Sequence, residues 1–227
     1  MRSILTISAL TAVLTLASCQ SSTVLLANFN SEAVGAPPAA NQPTGTVTFA
    51  DGGGNVRVAV TPTGPTPGNN WLQIDRPKQP APETVMRARF DAFHGTGKYG
   101  LLVAVFIPNG TGAVSLDLES FNGSITSAGQ ILHLDFMPEN NVRINDNDAD
   151  RFGTFPRDKS FVVSISVDNA ATPPTATVSL TGNGASGSKD VTLGSIANQF
   201  GAVRFWMGFQ WSGTFLIDDL LVTKKNP

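Results

Sequence analysis

Apolar and polar residues alternate over short runs from residue 23 onward, and no stretch sustains the three- and four-residue apolar spacing of a helix. The runs rich in Val, Ile, Leu, Thr and aromatic residues fall at 23–29, 46–50, 55–61, 71–75, 85–92, 98–107, 113–121, 131–137, 141–145, 161–167, 175–181, 189–193, 202–210 and 213–223. One segment, 194–200, reads as a helical turn. Many short strands with no crossover helices predict an all-β, antiparallel fold, a sandwich or a barrel, rather than a parallel sheet.

Turn chemistry supports this pattern. Gly182-Asn183-Gly184, Asn109-Gly110, Asn122-Gly123 and Asp51-Gly52-Gly53-Gly54 supply the positive φ that tight hairpins need. The proline-rich stretches 36–43, 62–68 and 76–82 cannot donate to a central ladder and so belong at the rim. Neither an internal repeat nor a linker divides the chain, which is expected to form one domain over 23–227.

The N-terminus is different. Arg2 is followed by an apolar stretch, 4–16, and then by Ala17 and Ser18, which is the layout of a secretory signal peptide over 1–18. The stretch is too short to span a bilayer. Leu16-Ala17-Ser18-Cys19 resembles the lipobox of bacterial lipoproteins. That resemblance implies cleavage before Cys19, a lipid on its thiol, and a tether over 19–22. Gln20 in the next position implies the outer membrane of a Gram-negative envelope. Cys19 is the only cysteine, so the exported domain has no intramolecular disulfide.

Composition narrows the partners. Of 227 residues only 14% are charged, and the net charge is −2. No basic stripe is present, so nucleic acid is not an expected partner. With 41% hydrophobic residues the chain is not of the disordered class.

Two end motifs carry a resemblance. Asn28-Phe29-Asn30 with Val34-Gly35, and Phe215-Leu216-Ile217-Asp218-Asp219-Leu220-Leu221-Val222, resemble the first and last strands of concanavalin A-like lectin/glucanase domains, with laminin G-like domains as relatives. The resemblance implies a two-sheet jelly-roll sandwich. Its members include lectins, glycosidases, lyases and adhesion modules, and fold alone does not choose among them.

Strand alternation sorts the candidate residues by face. Arg87, Arg89 and Asp91 oppose Met86, Ala88 and Phe90. Ser115, Asp117 and Glu119 oppose Val114, Leu116 and Leu118, and His133 and Asp135 oppose Leu132, Leu134 and Phe136. Arg143 opposes Val142 and Ile144. Trp206 shares a face with Arg204 and Gln210, and Trp71 shares one with Gln73 and Asp75. Val203, Phe205, Met207, Phe209 and Trp211 read as core. A flat ring beside hydrogen-bonding groups suits a sugar. The expected ligand is therefore a polysaccharide or glycan, with stacking on Trp71 and Trp206 and hydrogen bonds from Arg87, Arg89, Asp117, Glu119, His133 and Asp135.

Catalysis is the alternative. Asp117 and Glu119 project from one strand face, the minimum for glycosidase acid/base work. Glucanases of the resembled family carry Glu-x-Asp-x-x-Glu. Here Ser115 stands in the first acidic position and no third acid follows. His133 with Arg87, Arg89 and Tyr99 would be the groups of a lyase, although Tyr99 reads as core. A third alternative is an adhesion module with a protein partner. No cofactor is required, but a structural calcium has two candidate positions. One is Asp146, Asp148 and Asp150, which lack the glycine and the final glutamate of an EF-hand. The other, implied by the resemblance, is Asp218 or Asp219 with Asn28 and Asn30. Zinc spacing, a phosphate loop and a dinucleotide fingerprint are all missing.

Overall fold

A computed structural model describes residues 21–50, 55–60, 69–78, 84–121 and 129–225. The 51–54 and 122–123 turns and most of two proline-rich stretches lie outside the described residues.

The described residues form fifteen strands. They are β1 (Ser21–Ala27), β2 (Thr46–Ala50), β3 (Val56–Val60), β4 (Asn70–Arg76), β5 (Val85–Arg89), β6 (Lys98–Phe106), β7 (Val114–Ser120) and β8 (Gln130–Phe136). Then come β9 (Val142–Ile144), β10 (Asn147–Phe152), β11 (Ser160–Asp168), β12 (Thr175–Gly182), β13 (Ala185–Thr192), β14 (Phe200–Trp206) and β15 (Gly213–Lys225). A 3₁₀ turn spans Ser195–Gln199, within the predicted helical turn.

Two antiparallel sheets face each other. Sheet A runs β13-β12-β11-β6-β15-β4-β3, with β1 also on β15, and sheet B runs β10-β9-β8-β7-β14-β5-β2. Their inner faces make one core that includes Leu72, Val103, Val163 and Phe215 from sheet A and Met86, Leu116, Leu134 and Phe205 from sheet B. The antiparallel all-β fold expected from the alternation, and the two-sheet jelly-roll sandwich that the end motifs implied, are the observed fold. At one end an aromatic trio of Phe90, Tyr99 and Phe200 closes the core, so Tyr99 is a core residue as expected.

Sequence and structure differ at four places. Ser21 and Ser22, read as tether, already pair with Lys225 and Lys224 in β1. No strand is read at 147–152, yet Asn145 and Asp146, at φ 49° and 59°, form a two-residue turn and β10 returns along β9. Phe209, read as core, lies in a turn and is exposed, because β14 ends at Trp206 and the alternation stops there. Finally, β15 carries a bulge. Ile217 and Leu220 both face the core, and Asp219 at φ 50° takes up the extra residue. At this bulge β15 exchanges one neighbour for another: Gly213 to Ile217 pair with β4, and Leu220 to Lys225 with β1.

Candidate functional site on the outer face of sheet B

The centre of sheet B is built from β8, β7, β14 and β5 side by side. Their register sets Asp117 opposite His133 on one flank and Arg204 on the other, with Arg87 next to Arg204. One row along, Ser115 lies between Asp135 and Trp206. Every residue of β7 is buried, on its outward face as well as its core face. A buried polar face is stable only when its charges are paired, and here they are.

Asp117, with no exposed surface, is the hub. Its Oδ1 accepts from His133 Nδ1 at 2.5 Å, and its Oδ2 accepts from Arg204 Nε at 2.7 Å and from Trp206 Nε1 at 2.8 Å. Glu119 pairs with Arg87 at 2.6 Å and Arg204 at 3.2 Å. Asp135 accepts from Ser115 at 2.6 Å, from Arg143 at 2.6 Å, and pairs with His133 Nε2 at 3.1 Å. The Arg204 guanidinium lies over the Trp206 ring, 4.7 Å from its centroid. Trp206 and Arg143 are the half-buried members of the group. Arg89 projects on the same face but turns away: it donates to the Phe121 carbonyl and lies over that ring.

The electrostatics follow from this geometry. Burial opposes charge on the His133 imidazole, yet hydrogen bonds to Asp117 and Asp135 and their negative charges prevail and push its pKa up to about 10. Burial likewise opposes charge on Asp135, but its bond to the imidazolium and those to Ser115 and Arg143 bring it down to about 2. Burial raises the Glu119 carboxyl above its ordinary value, against the pull of Arg87 and Arg204. Three carboxylates (Asp117, Glu119, Asp135) thus meet four cations (Arg87, Arg204, His133 and Arg143), the last shared with Asp146.

The structure brings Asp117, Glu119, His133, Asp135, Arg87 and Trp206 together as their shared register suggested. It does not bring Trp71. That ring is 1% exposed on the outer face of sheet A, packed with Phe106 and Leu216. Alternation assigns a face within a strand but not the sheet to which the strand belongs. Arg204, Ser115 and Arg143 complete the network. Arg204 carried a readable signal, two residues before Trp206, but its central role depends on β14 lying between β7 and β5.

Three places bear on metal. In the β9–β10 hairpin, Asp148 pairs with Arg151, Asp146 with Arg143, and Asp150 with Lys189. Each of these cations takes one oxygen of its aspartate, so a calcium ion held by Asp146, Asp148 and Asp150 would compete with Arg143, Arg151 and Lys189. His133, Asp135 and Asp146 offer ligand atoms that all lie within 4.8 Å of one another. Asp117 on Nδ1 leaves Nε2 to face the two aspartates, an orientation that metal-bound histidines share. Arg143 bridges the same two carboxylates. Asp218, at the β15 bulge, is fully buried; its Oδ2 accepts from Asn69, and its Oδ1 has no hydrogen-bond partner among the described residues. Burial and the nearby Asp219 push its pKa up to about 7, against the amides of Asp219 and Phe29 and the Asn69 side chain. An orphaned buried oxygen beside the end of β1 fits a cation ligand. Asn28 and Asn30 use their side-chain oxygens to accept from the amides of Asn30 and Asn70.

No protein-family model and no curated protein sequence matches the chain. Solved structures do match its shape. Lectin II from Ulex europaeus superimposes with a TM-score of 0.55 over 91% of this chain and 100% of its own, at 14% identity. An endo-1,3-beta-glucanase from Streptomyces sioyaensis gives 0.55 over 93% and 99%, also at 14% identity. Arcelin-5, a lectin-like defense protein from Phaseolus vulgaris, gives 0.52 over 91% and 99%, at 10% identity. The chain therefore has the lectin and glucanase jelly-roll fold.

Proposed function

We propose that this protein is an exported, lipid-anchored, non-catalytic glycan-binding module of the bacterial cell envelope, on the outer membrane. One observation carries the glycan reading: a half-buried tryptophan fixed at its Nε1 by a buried carboxylate, in a face of ionised hydrogen-bonding groups. The accessible part of Trp206 stacks on a sugar ring and Arg143, partly exposed in the same row, meets the hydroxyls, while the buried Arg87, Arg204 and Asp135 hold the two in place. Because their charges are already balanced, a neutral sugar desolvates them with little loss. The shared fold with a lectin and a glucanase agrees with a carbohydrate ligand. Cys19 carries the lipid, and the tether is short. A structural calcium ligated by Asp218 is part of the same reading.

The network argues for binding rather than turnover. Hydrolysis needs two carboxyl groups free to exchange protons with substrate or water. Asp117 is held by His133, Arg204, Trp206 and Gln130, Glu119 by two guanidinium groups, and Ser115 replaces the first acid of the glucanase strand. Hydrolysis remains the second reading on one observation, the raised Glu119 carboxyl. Affinity electrophoresis in gels cast with a panel of polysaccharides tests the first, with retardation in one or a few gels expected. The retarding polysaccharide is then incubated with the protein. No new reducing or unsaturated ends are expected, and their steady release would replace the binding reading with an enzymatic one.

A further inference from the structure

We infer that the sandwich stands directly on the bilayer, with the end that holds the start of β1 and the end of β15 against the lipid headgroups. The inference rests on the lipid-anchor reading of Cys19 and adds an orientation to it. Ser21 is already in register with Lys225, so only Gln20 separates the anchored residue from a paired strand. Two residues of extended chain reach about 7 Å. A domain held that closely cannot tumble above the membrane, and its anchored end must be its membrane end.

The chemistry of that end fits an anionic lipid surface. Lys225 lies opposite Lys98, and Lys224 opposite Tyr99, so three lysines gather where the chain enters. Lys98 is 65% exposed and shared with Asp168, Lys225 is exposed, and Lys224 donates to the His94 carbonyl. Loss of a leader carrying only Arg2 takes the net charge from −2 to −3, so this cluster stands against the sign of the whole. The β5–β6 connection lies at the same end, because Lys224 holds His94. It carries Phe93, 52% exposed and 6.1 Å from the Phe121 ring. Lysines around an exposed phenylalanine suit the boundary between headgroups and acyl chains.

The orientation has a functional consequence. Strands of both sheets rise from this end: β6 runs from Lys98 to Phe106 and β14 from Phe200 to Trp206. The outer face of sheet B then stands upright beside the membrane, with Trp206 in its upper half. Glycan is received from the side.

The test uses the full chain, acylated and reconstituted into vesicles of phosphatidylcholine and phosphatidylglycerol that carry a headgroup quencher. Because Cys19 is the only cysteine and its thiol is consumed by the lipid, an introduced cysteine takes a fluorophore uniquely. Ala92→Cys labels the β5–β6 connection and Glu139→Cys the turn after β8, at the opposite end; both positions are exposed. Several-fold stronger quenching at position 92 than at 139 is expected. Equal quenching, or stronger quenching at 139, in protein that is acylated and floats with the vesicles would overturn the orientation and leave the anchor standing. An intact mass showing no acyl groups, with flotation unchanged in Cys19→Ala, would remove the anchor and the orientation with it.

Discussion

Asp117 shows how one side chain holds the outer face of sheet B together. It serves an imidazolium, a guanidinium and an indole N–H at once, with no access to solvent. Asp117→Asn removes the negative charge that His133 and Arg204 share, leaving them only Asp135 and Glu119 respectively. Breaking such a network costs about 3–5 kcal/mol, which denaturant unfolding would report; a loss below about 1 kcal/mol would contradict the account. The same geometry predicts that His133 stays protonated well above neutrality. Its pKa of about 10 lies above the ordinary 6.5, so its stabilising contribution is complete below pH 6.5 and is lost as pH rises through 10. An NMR titration of the ring nitrogens should find the imidazolium at pH 8, and a neutral ring at that pH would refute the clamp. The polar register of Asp117, Glu119, His133 and Asp135 was legible from alternation alone. Their convergence with Arg204 and Trp206 was not, because it needs the pairing of β7 with β14, more than 80 residues later.

At the scale of elements, the last strand is the informative one. In Ile217-Asp218-Asp219-Leu220 two core residues stand three apart, which strict alternation forbids and a bulge repairs. Sequence reading took 213–223 as one regular strand, so neither the irregularity nor the passage of β15 from β4 to β1 was read from it. Asp218 lies at that junction beside Asn69 and the Phe29 amide. Its pKa of about 7 lies above the ordinary value near 3.9, so its protonated form favours the fold. The contribution of this carboxyl to stability is complete below pH 4 and is lost as pH rises through 7. In chelator, Asp218→Asn should flatten that decline in a series of melting curves; an unchanged slope would contradict the burial argument. Added calcium should raise the wild-type melting temperature at pH 8 and leave the variant unmoved. Trp71 is an element-scale residue too. It packs β4 against β6 and β15 on the back of sheet A, so Trp71→Ala should cost about 3–5 kcal/mol of stability. β10 escaped sequence reading because its Asp-rich composition has no apolar stripe; its place comes from pairing with β9 and its ion pairs with Arg143, Arg151 and Lys189.

At the scale of the molecule, the two outer faces differ in kind. Sheet A carries small hydroxyl residues, the exposed Leu102 and Val162 and a tryptophan packed out of solvent, whereas sheet B carries a buried ion-paired network with one half-buried indole. The antiparallel all-β class followed from the period of two, the turn residues and the lack of crossover helices, and the two-sheet form from the resemblance of the first and last strands. Which sheet carries which strand is a non-local fact of pairing, and this is why Trp71 and Trp206 read alike in sequence and part company in space. That divergence supplies the decisive comparison. In gels cast with a polysaccharide that retards the wild-type domain, Trp71→Ala, confirmed as folded, should be retarded as before, and Trp206→Ala should run freely. Retardation unchanged in Trp206→Ala, or abolished only in a folded Trp71→Ala, would contradict binding on the outer face of sheet B.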